Sequence, residues 1–131
     1  MIYLFDVNAL IAFGFRHHAF HTRVSQWIRA ERSVEIATCS ITELGFVRVL
    51  AQAHTYGQTA KQARLLLEEV KRGTKPPFVH ISDDHGAAQL PEWVNSPKHI
   101  TDGHLLQLAA ARGFALATLD QRIPGAFVIP G

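Results

Sequence analysis

The sequence predicts an α/β fold, a three-layer α/β/α sandwich around a parallel sheet of four or five strands. Short apolar runs of the kind that form buried strands alternate along the chain with longer segments in which apolar residues recur at helical spacing. Strands that alternate with helices form parallel sheets, because each helix carries the chain back to the same edge. Acidic residues that follow several of these runs place a functional site at the carboxyl edge of the sheet.

The size and composition of the chain favour one globular domain, which we expect to span residues 1–131. Hydrophobic residues make up 47% of the chain, which is too many for a disordered protein. Cys39 is the only cysteine, so an internal disulfide is excluded and a reducing compartment, the cytoplasm, is expected. The N-terminal region lacks the basic and cleavage segments of a signal peptide. No run of about 20 uncharged apolar residues predicts a membrane span.

Five strands and five helices are predicted from these patterns. The strands are expected at residues 2–5, 34–38, 78–81, 114–118 and 126–129. The helices are expected at residues 8–13, 17–32, 40–53, 59–72 and 101–112. The second helix has apolar residues spaced i, i+4, i+7 and i+8, which should face the core and are Phe20, Val24, Trp27 and Ile28. Residues 82–97 are predicted to be irregular, apart from one turn of helix around residues 86–90.

Four carboxylates stand where an apolar run meets a helix start or a turn, and they are Asp6, Glu43, Asp102 and Asp120. If the four acids converge at one edge of the sheet, they repel one another, and a divalent cation relieves that repulsion. Mg²⁺ binds carboxylate oxygens and completes its shell with water and substrate phosphate. The pattern therefore indicates a metal site for phosphate chemistry.

Each of the four acids also has a purely structural interpretation. Asp6 or Asn8 could cap the first helix, and a Ser-x-x-Glu pattern that ends at Glu43 matches a capping box. Asp102 could serve only the dipole of its helix, and Asp120 could form a turn. The set as a whole favours function, because three of the acids directly follow strands. The first, second and fourth strands would be neighbours if their connections are right-handed.

Four segments of the sequence together resemble the PIN domain, and within it the VapC-type ribonuclease toxins of prokaryotic toxin–antitoxin pairs. The segments are YLFDVNALI at residues 3–11, SITELGFVRVL at 40–50, ITDGHLLQLA at 100–109 and LATLDQRI at 116–123. They occur in the family's order and at family-like spacings. The resemblance therefore covers the whole length of the chain.

The resemblance implies an endonuclease that cleaves RNA. Its acidic quartet, which would hold Mg²⁺ or Mn²⁺, matches Asp6, Glu43, Asp102 and Asp120. Asn8 and Thr118 would be polar groups behind the metal ligands or on the substrate side. The implied partners are the RNA, a small VapB-like antitoxin and a second copy of the chain in a homodimer. The C-terminal segment of the antitoxin would lie in an apolar groove near the second and fourth helices.

Histidines and basic residues are further candidates. His17 and His21 at i, i+4 could bind zinc, although solvated surface histidines explain them as well. His104 either touches substrate or lies on a helix surface. The arginines and lysines fall in two groups, around the second helix and along the fourth. These groups either guide RNA towards the acids or are ordinary solvated helix faces.

Three other functions fit parts of the sequence. A housekeeping PIN nuclease in RNA processing would have the same acids, although the small size of the chain favours the toxin. A catalytically silent PIN-like interaction domain is the second, and the presence of all four acids argues against it. A receiver or phosphatase of the doubly wound kind could use Asp6 as a nucleophile. Such a protein would need a lysine near the last strands, and none lies between His99 and Gly131.

Overall fold

The computed structural model describes residues 1–131 and shows the predicted parallel α/β fold. The strands are β1 Ile2–Phe5, β2 Glu35–Thr38, β3 Phe78–His80, β4 Ala115–Thr118 and β5 Phe127–Val128. The helices are α1 Val7–Gly14, α2 His21–Glu31, α3 Ser40–Gln52, α4 Ala60–Arg72 and α5 Ile100–Ala111. All five strands run parallel, in the spatial order β3-β2-β1-β4-β5.

The centre of the sheet confirms the predicted neighbourhood of the first, second and fourth strands. β1 pairs with β2 in a register that places Leu4 opposite Ala37, and with β4 in a register that places Phe5 opposite Ala117. The carboxyl ends of these three strands therefore lie side by side. Residues that follow them share one edge of the sheet, which is where α/β proteins bind their ligands.

The sheet separates two hydrophobic cores, because successive strand residues point to opposite faces. On one face, Phe5 belongs to a core that α1 to α4 complete with residues such as Trp27 and Phe46. On the other face, Leu4 belongs to a second core that includes Leu105 of α5. The fold is thus a three-layer sandwich, as predicted, with four helices on one side and α5 with its flanking segments on the other.

The start of α2 departs from the predicted helix. The helix begins at His21 rather than at residue 17, and the preceding residues form turns. The N–H of Phe20 donates to Nδ1 of His18 at 3.0 Å, a local bond that fixes a turn there. His17 therefore lies outside the helix, and the predicted i, i+4 histidine pair does not exist on one helix face. The placement of Phe20 in the core was also wrong, since it is 45% exposed, whereas Trp27 is buried.

The segment between β3 and α5 is irregular, as predicted, and the predicted helical turn within it is a 3₁₀ turn at Ala87–Gln89. A second 3₁₀ turn, Pro97–His99, leads directly into α5. The helix therefore begins before Thr101, which is not its N-cap. None of the helices combines the length and the apolar character that a membrane crossing requires.

Candidate functional site

Asp6 stands at the junction of β1 and α1 and is almost completely buried. Its Oδ1 accepts a hydrogen bond of 2.8 Å from the N–H of Ala9, so Asp6 is the N-cap of α1. Its Oδ2 accepts a short hydrogen bond from the hydroxyl of Thr118 at the end of β4. The capping interpretation is therefore correct, but it accounts for only one of the two carboxylate oxygens.

The environment of Asp6 destabilises the ionised form of its side chain. Burial raises the pKa of Asp6 to about 6, although the hydrogen bonds from Thr118 and Ala9 act in the opposite direction. The charges of Asp102 and Asp120 raise this pKa further. The three aspartates therefore lie close enough to repel one another, as the sequence predicted for acids at this edge.

Asp102 lies in the first turn of α5. Burial raises its pKa, and the charge of Asp120 adds to the increase, while His99 and Arg122 lower it. Asp102 and Asp120 line the same small cleft, which has a volume of about 100 Å³. Asp102 has no hydrogen-bond partner among the side chains of the cleft. Its carboxylate is thus the least engaged of the three.

Asp120 follows β4 and is held from both sides. Its N–H donates to the Thr118 hydroxyl oxygen at 3.0 Å, so Thr118 joins Asp6 to the backbone of Asp120. Its carboxylate accepts from Nε of Arg122 at 3.0 Å and from Nη2 at 3.2 Å. These hydrogen bonds, with one from the Arg122 N–H, lower the pKa of Asp120. Asp120 therefore forms the turn that its structural interpretation predicted and also belongs to the acidic cluster.

Glu43 lies at the same edge of the sheet, beyond β2, but has other partners. Its Oε2 accepts from Nζ of Lys71 at 2.7 Å, from the Thr38 hydroxyl at 2.6 Å and pairs with Nδ1 of His80 at 3.1 Å. Burial alone would raise the pKa of Glu43, but these three hydrogen bonds outweigh burial and lower it. Glu43 takes no part in a capping box, because Thr42 makes the capping contacts of α3.

The three aspartates are near one another without forming a finished ligand set, and Glu43 interacts with Lys71, Thr38 and His80 rather than with them. No three Asp, Glu, His or Cys side chains are placed so that they could jointly hold a metal ion. Two ion pairs explain this arrangement, because Lys71 occupies Glu43 and Arg122 occupies Asp120. The chemistry of the donors nevertheless fits a divalent cation. Hard carboxylate oxygens that raise one another's pKa are the groups whose repulsion such a cation relieves.

The other predicted site residues lie around this cluster. Asn8 is exposed and shares a surface cleft of about 630 Å³ with Asp120 and Arg122. His104 is neither a surface residue nor free, because its Nε2 pairs with Oδ2 of Asp83 at 2.5 Å and both side chains are mostly buried. The His104–Asp83 pair joins α5 to the irregular segment.

Sequence reasoning missed several groups at the site. Lys71 and His80 act on Glu43 from 28 and 37 residues away, and such distant pairs carry no local pattern. Lys71 belongs to the basic group of the fourth helix, for which the sequence left open a solvated helix face or a surface that guides RNA. Arg122 was visible in the LATLDQRI segment, two residues after Asp120, which is the spacing of a turn that folds back on its first residue.

The basic residues do not form one surface around the acids. Arg29, Arg32 and Lys75 line a cleft of about 570 Å³ with Val34 and Pro77, which precede β2 and β3. This cleft is therefore at the amino edge of the sheet, opposite the carboxylates. Lys71, Lys98 and Arg122 reach the acidic edge, and Arg23 lines the larger cleft that contains Asn8 and Asp120.

Comparisons with known proteins agree with this architecture. Residues 3–126 match the family model of the PIN domain. Ribonuclease VapC38 of Mycobacterium tuberculosis is 35% identical to the chain, over 89% of the chain and 84% of its own length. Ribonuclease VapC44 of the same organism is 34% identical, over 92% of the chain and 87% of its own length.

The chain belongs to the PIN domain family. Within that family, its relatives are ribonucleases of the VapC type, so the resemblance predicted from the four sequence segments is confirmed. A crystal structure of VapBC2 from Rickettsia felis, bound to a DNA fragment from their promoter, has the same fold. Its TM-score is 0.58 at 15% identity, and the match covers 97% of the chain and 96% of that structure's chain.

Stability should fall with rising pH because of Asp6. Between the unfolded carboxyl pKa of about 4 and the folded pKa of about 6, the folded protein retains a proton that the unfolded chain has lost. The loss of stability that comes from ionising the buried Asp6 should be complete above about pH 6. Asp6→Asn removes this charge. In chelator, the free energy of unfolding of the variant should therefore exceed that of the wild type by about 2 kcal/mol at pH 7.5, and the two should differ little near pH 4.

Urea unfolding at the two pH values measures this difference. Asp84→Asn is the matched control, because Asp84 is an exposed acid outside the cluster. It should leave both curves unchanged. A gain from Asp6→Asn that is the same at both pH values would show that the pKa of Asp6 is not raised.

Lys71→Met should destabilise the protein by about 1–2 kcal/mol at pH 7, because it leaves a partly buried carboxylate without its cation. The lowered pKa of Glu43 stabilises the folded state above the unfolded carboxyl pKa, and that contribution is lost as pH falls through the folded pKa. The loss should therefore shrink in acid. Arg72→Met is the control, since the Arg72–Glu68 pair is exposed and 3.9 Å long, and it should change little.

Urea unfolding at pH 7 and at about pH 3 measures both variants. If Lys71→Met and Arg72→Met gave the same free energy of unfolding at pH 7, the Lys71–Glu43 pair would have no special role.

Proposed function

We propose that the chain is a metal-dependent endoribonuclease that acts as the toxin of a VapBC-type toxin–antitoxin pair. The cluster of Asp6, Asp102 and Asp120 at the carboxyl edge of a VapC-type fold supports this proposal most directly. The reaction would be hydrolysis of an RNA phosphodiester bond.

The acids have distinct roles in this proposal. Asp6 and Asp102 would hold Mg²⁺ or Mn²⁺, and Asp120 and Glu43 would complete the site. When bound, such a cation activates a water molecule and neutralises charge on the scissile phosphate and the leaving oxygen. Thr118 fixes the orientation of Asp6 through one oxygen, and the Ala9 N–H fixes the other. This carboxylate is therefore preorganised before anything binds.

The ion pairs with Arg122 and Lys71 determine how Asp120 and Glu43 could take part in the reaction. The Arg122 side chain is 86% exposed, so it can leave Asp120 at little cost and contact a phosphate oxygen of the RNA. Lys71 is more firmly held, with Glu43 largely buried. While that ion pair lasts, Glu43 is better suited to accept a hydrogen bond from a bound water than to coordinate an ion directly.

The purified protein should cleave single-stranded or loop RNA with Mg²⁺ or Mn²⁺ and should lose this activity in chelator. Asp6→Asn and Asp102→Asn should each lower the cleavage rate by about 100-fold or more. Loss of a metal ligand should lower the activity at least as much as loss of a residue that only hydrogen-bonds to a ligand. Asp84→Asn, the exposed control, should cleave at the wild-type rate. Cleavage of labelled RNA on denaturing gels gives the rates.

Two outcomes would count against the ribonuclease. Equal activity in stringently purified Asp6→Asn protein would trace the cleavage to a contaminant. A wild-type protein that binds RNA but cleaves none with either metal would favour the catalytically silent interaction domain.

We further propose a homodimer that binds a small VapB-like antitoxin. An open groove of about 730 Å³ lies between the start of α2 and α4, the helices near which the family resemblance implies an antitoxin groove. Its apolar wall includes Phe15, Leu66 and the 54% exposed Leu65. An amphipathic segment could place its apolar side chains here, with helix-in-groove anchors.

Expression of the chain alone should arrest growth, and co-expression with a short neighbouring reading frame should relieve the arrest. Leu65→Lys should abolish the relief while RNA cleavage by the purified protein is unchanged, because the lysine places a charge in the apolar wall. Ala88→Lys, at an exposed position of the irregular segment, is the control and should leave the relief intact. Unaffected growth without the partner would argue against a toxin.

A further inference from the structure

The irregular segment before α5 places a tryptophan beside the acidic cluster. Trp93 lines the 100 Å³ cleft that also contains Asp102 and Asp120. His99 and the buried Ile123 line the same cleft. An aromatic surface therefore lies directly next to the place where the proposed function cleaves a phosphodiester bond.

Packing fixes the position of Trp93. The side chain is half-buried and packs against the second core, under α5. The segment that carries it touches α5 at Gly103, where an added Cβ would overlap the Val94 side chain and lie 3.4 Å from Cδ of Pro91. Only glycine allows this approach. Because the contact is so close, Trp93 is held in place before any ligand arrives, which lowers the entropy that binding must cost.

His99 supplies a second aromatic surface. Its ring centroid lies 5.9 Å from that of Trp93, and the two planes are inclined by 59°. Nδ1 of His99 and Oγ of Ser96 are 3.0 Å apart, so the ring is oriented by a hydrogen bond. The rings do not stack face to face, and each therefore keeps surface that a planar ligand can contact.

The exposure of Trp93 distinguishes it from a core tryptophan. Trp27, the only other tryptophan, is 6% exposed and contacts the rings of Tyr3, Phe5 and Phe127. Trp93 remains partly exposed, and its one aromatic neighbour is His99. Packing in the core therefore accounts for the buried part of the Trp93 side chain. It does not account for the part that lines the cleft.

The charges of the cleft suit a nucleotide. Lys98 and Arg122 line it together with the two aspartates, so cations are available for the phosphates on either side of a base. Stacking on aromatic side chains is how proteins bind unpaired bases with little regard to sequence. A base inside a duplex is already stacked and cannot reach such a surface.

We propose that Trp93 and His99 form a binding site for one unpaired nucleobase of the RNA, adjacent to the scissile phosphate. The proposal rests on the ribonuclease function and adds to it the side chains that would hold a base of the RNA next to the cut. Trp93 positions the substrate through stacking, and Asp102 and Asp120 face the neighbouring phosphate.

RNA with single abasic positions tests the site with the wild-type side chains in place. An Asp6→Asn protein, which should not cleave, is titrated in Mg²⁺ with a labelled single-stranded RNA of about eight nucleotides, and the Kd is measured by fluorescence anisotropy. A series of RNAs, each lacking one base, should bind about tenfold more weakly at one position only. That position should adjoin the bond that the wild-type protein cuts.

Variants of Trp93 test the same contact from the side of the protein. Trp93→Leu should weaken binding of the intact RNA about tenfold, and the abasic RNA should then bind no more weakly than the intact one. Trp93→Phe should retain most of the affinity, because phenylalanine also stacks and fills the core. Tyr56→Leu is the control, because Tyr56 is also a half-buried aromatic but packs on the first core and lines neither cleft that contains Asp120, and it should bind as tightly as the parent protein.

Fluorescence gives an independent measurement. In a Trp27→Phe background, Trp93 is the only tryptophan. Its emission should be quenched by the single-stranded RNA and unchanged by a duplex of the same length. Absence of quenching, or an affinity that neither Trp93→Leu nor any abasic position changes, would overturn the base site.

The two proposals fail in different ways. If the wild-type protein cleaves RNA but the Trp93 and abasic arms show no effect, the base site is wrong and the ribonuclease stands. If RNA binding depends on Trp93 but no metal supports cleavage, the base site stands as a binding site and the ribonuclease is wrong.

Discussion

The hydroxyl of Thr118 is the contact on which the acidic edge depends. It donates to Asp6 and accepts from the N–H of Asp120, so one small side chain joins the ends of β1 and β4. No water is needed to satisfy it, because the hydroxyl is fully buried and uses its proton and a lone pair on protein atoms. The bond orients a carboxylate whose pKa burial raises to about 6, although the bond itself acts to lower that pKa. The hydrogen bonds of Thr118 therefore hold Asp6 in position next to the aspartates that repel it.

Two ion pairs limit the repulsion that this arrangement creates. Lys71 neutralises Glu43 on the β2 side, and Arg122 neutralises Asp120 on the β4 side. Asp6 and Asp102 receive no such partner, and burial raises the pKa of both. The uncompensated charge is therefore concentrated between β1 and α5. A cation that bound there would relieve the most repulsion, which is a physical reason to place the proposed metal at these two residues rather than at Glu43.

The sequence predicted the elements and the edge because both follow from local patterns. Short apolar runs marked every strand to within one or two residues, and right-handed connections predicted that the first, second and fourth strands are neighbours. The partners of the acids could not be predicted, since Lys71 and His80 meet Glu43 only through the packing of α4 and β3. The helical spacing at Phe20 also misled, because a histidine side chain bonded to the backbone and fixed a turn instead.

The irregular segment shows why the least predictable part of the chain can carry specificity. Strands and helices must satisfy their periodicity, which leaves few free positions at the edge of the sheet. A segment without periodicity can place a side chain wherever a close contact allows, and Gly103 provides that contact by accepting Val94 against α5. A metal site of the proposed kind needs only carboxylates at strand ends. The proposed preference for an unpaired base over a duplex would need a group such as Trp93, which the fold itself does not dictate.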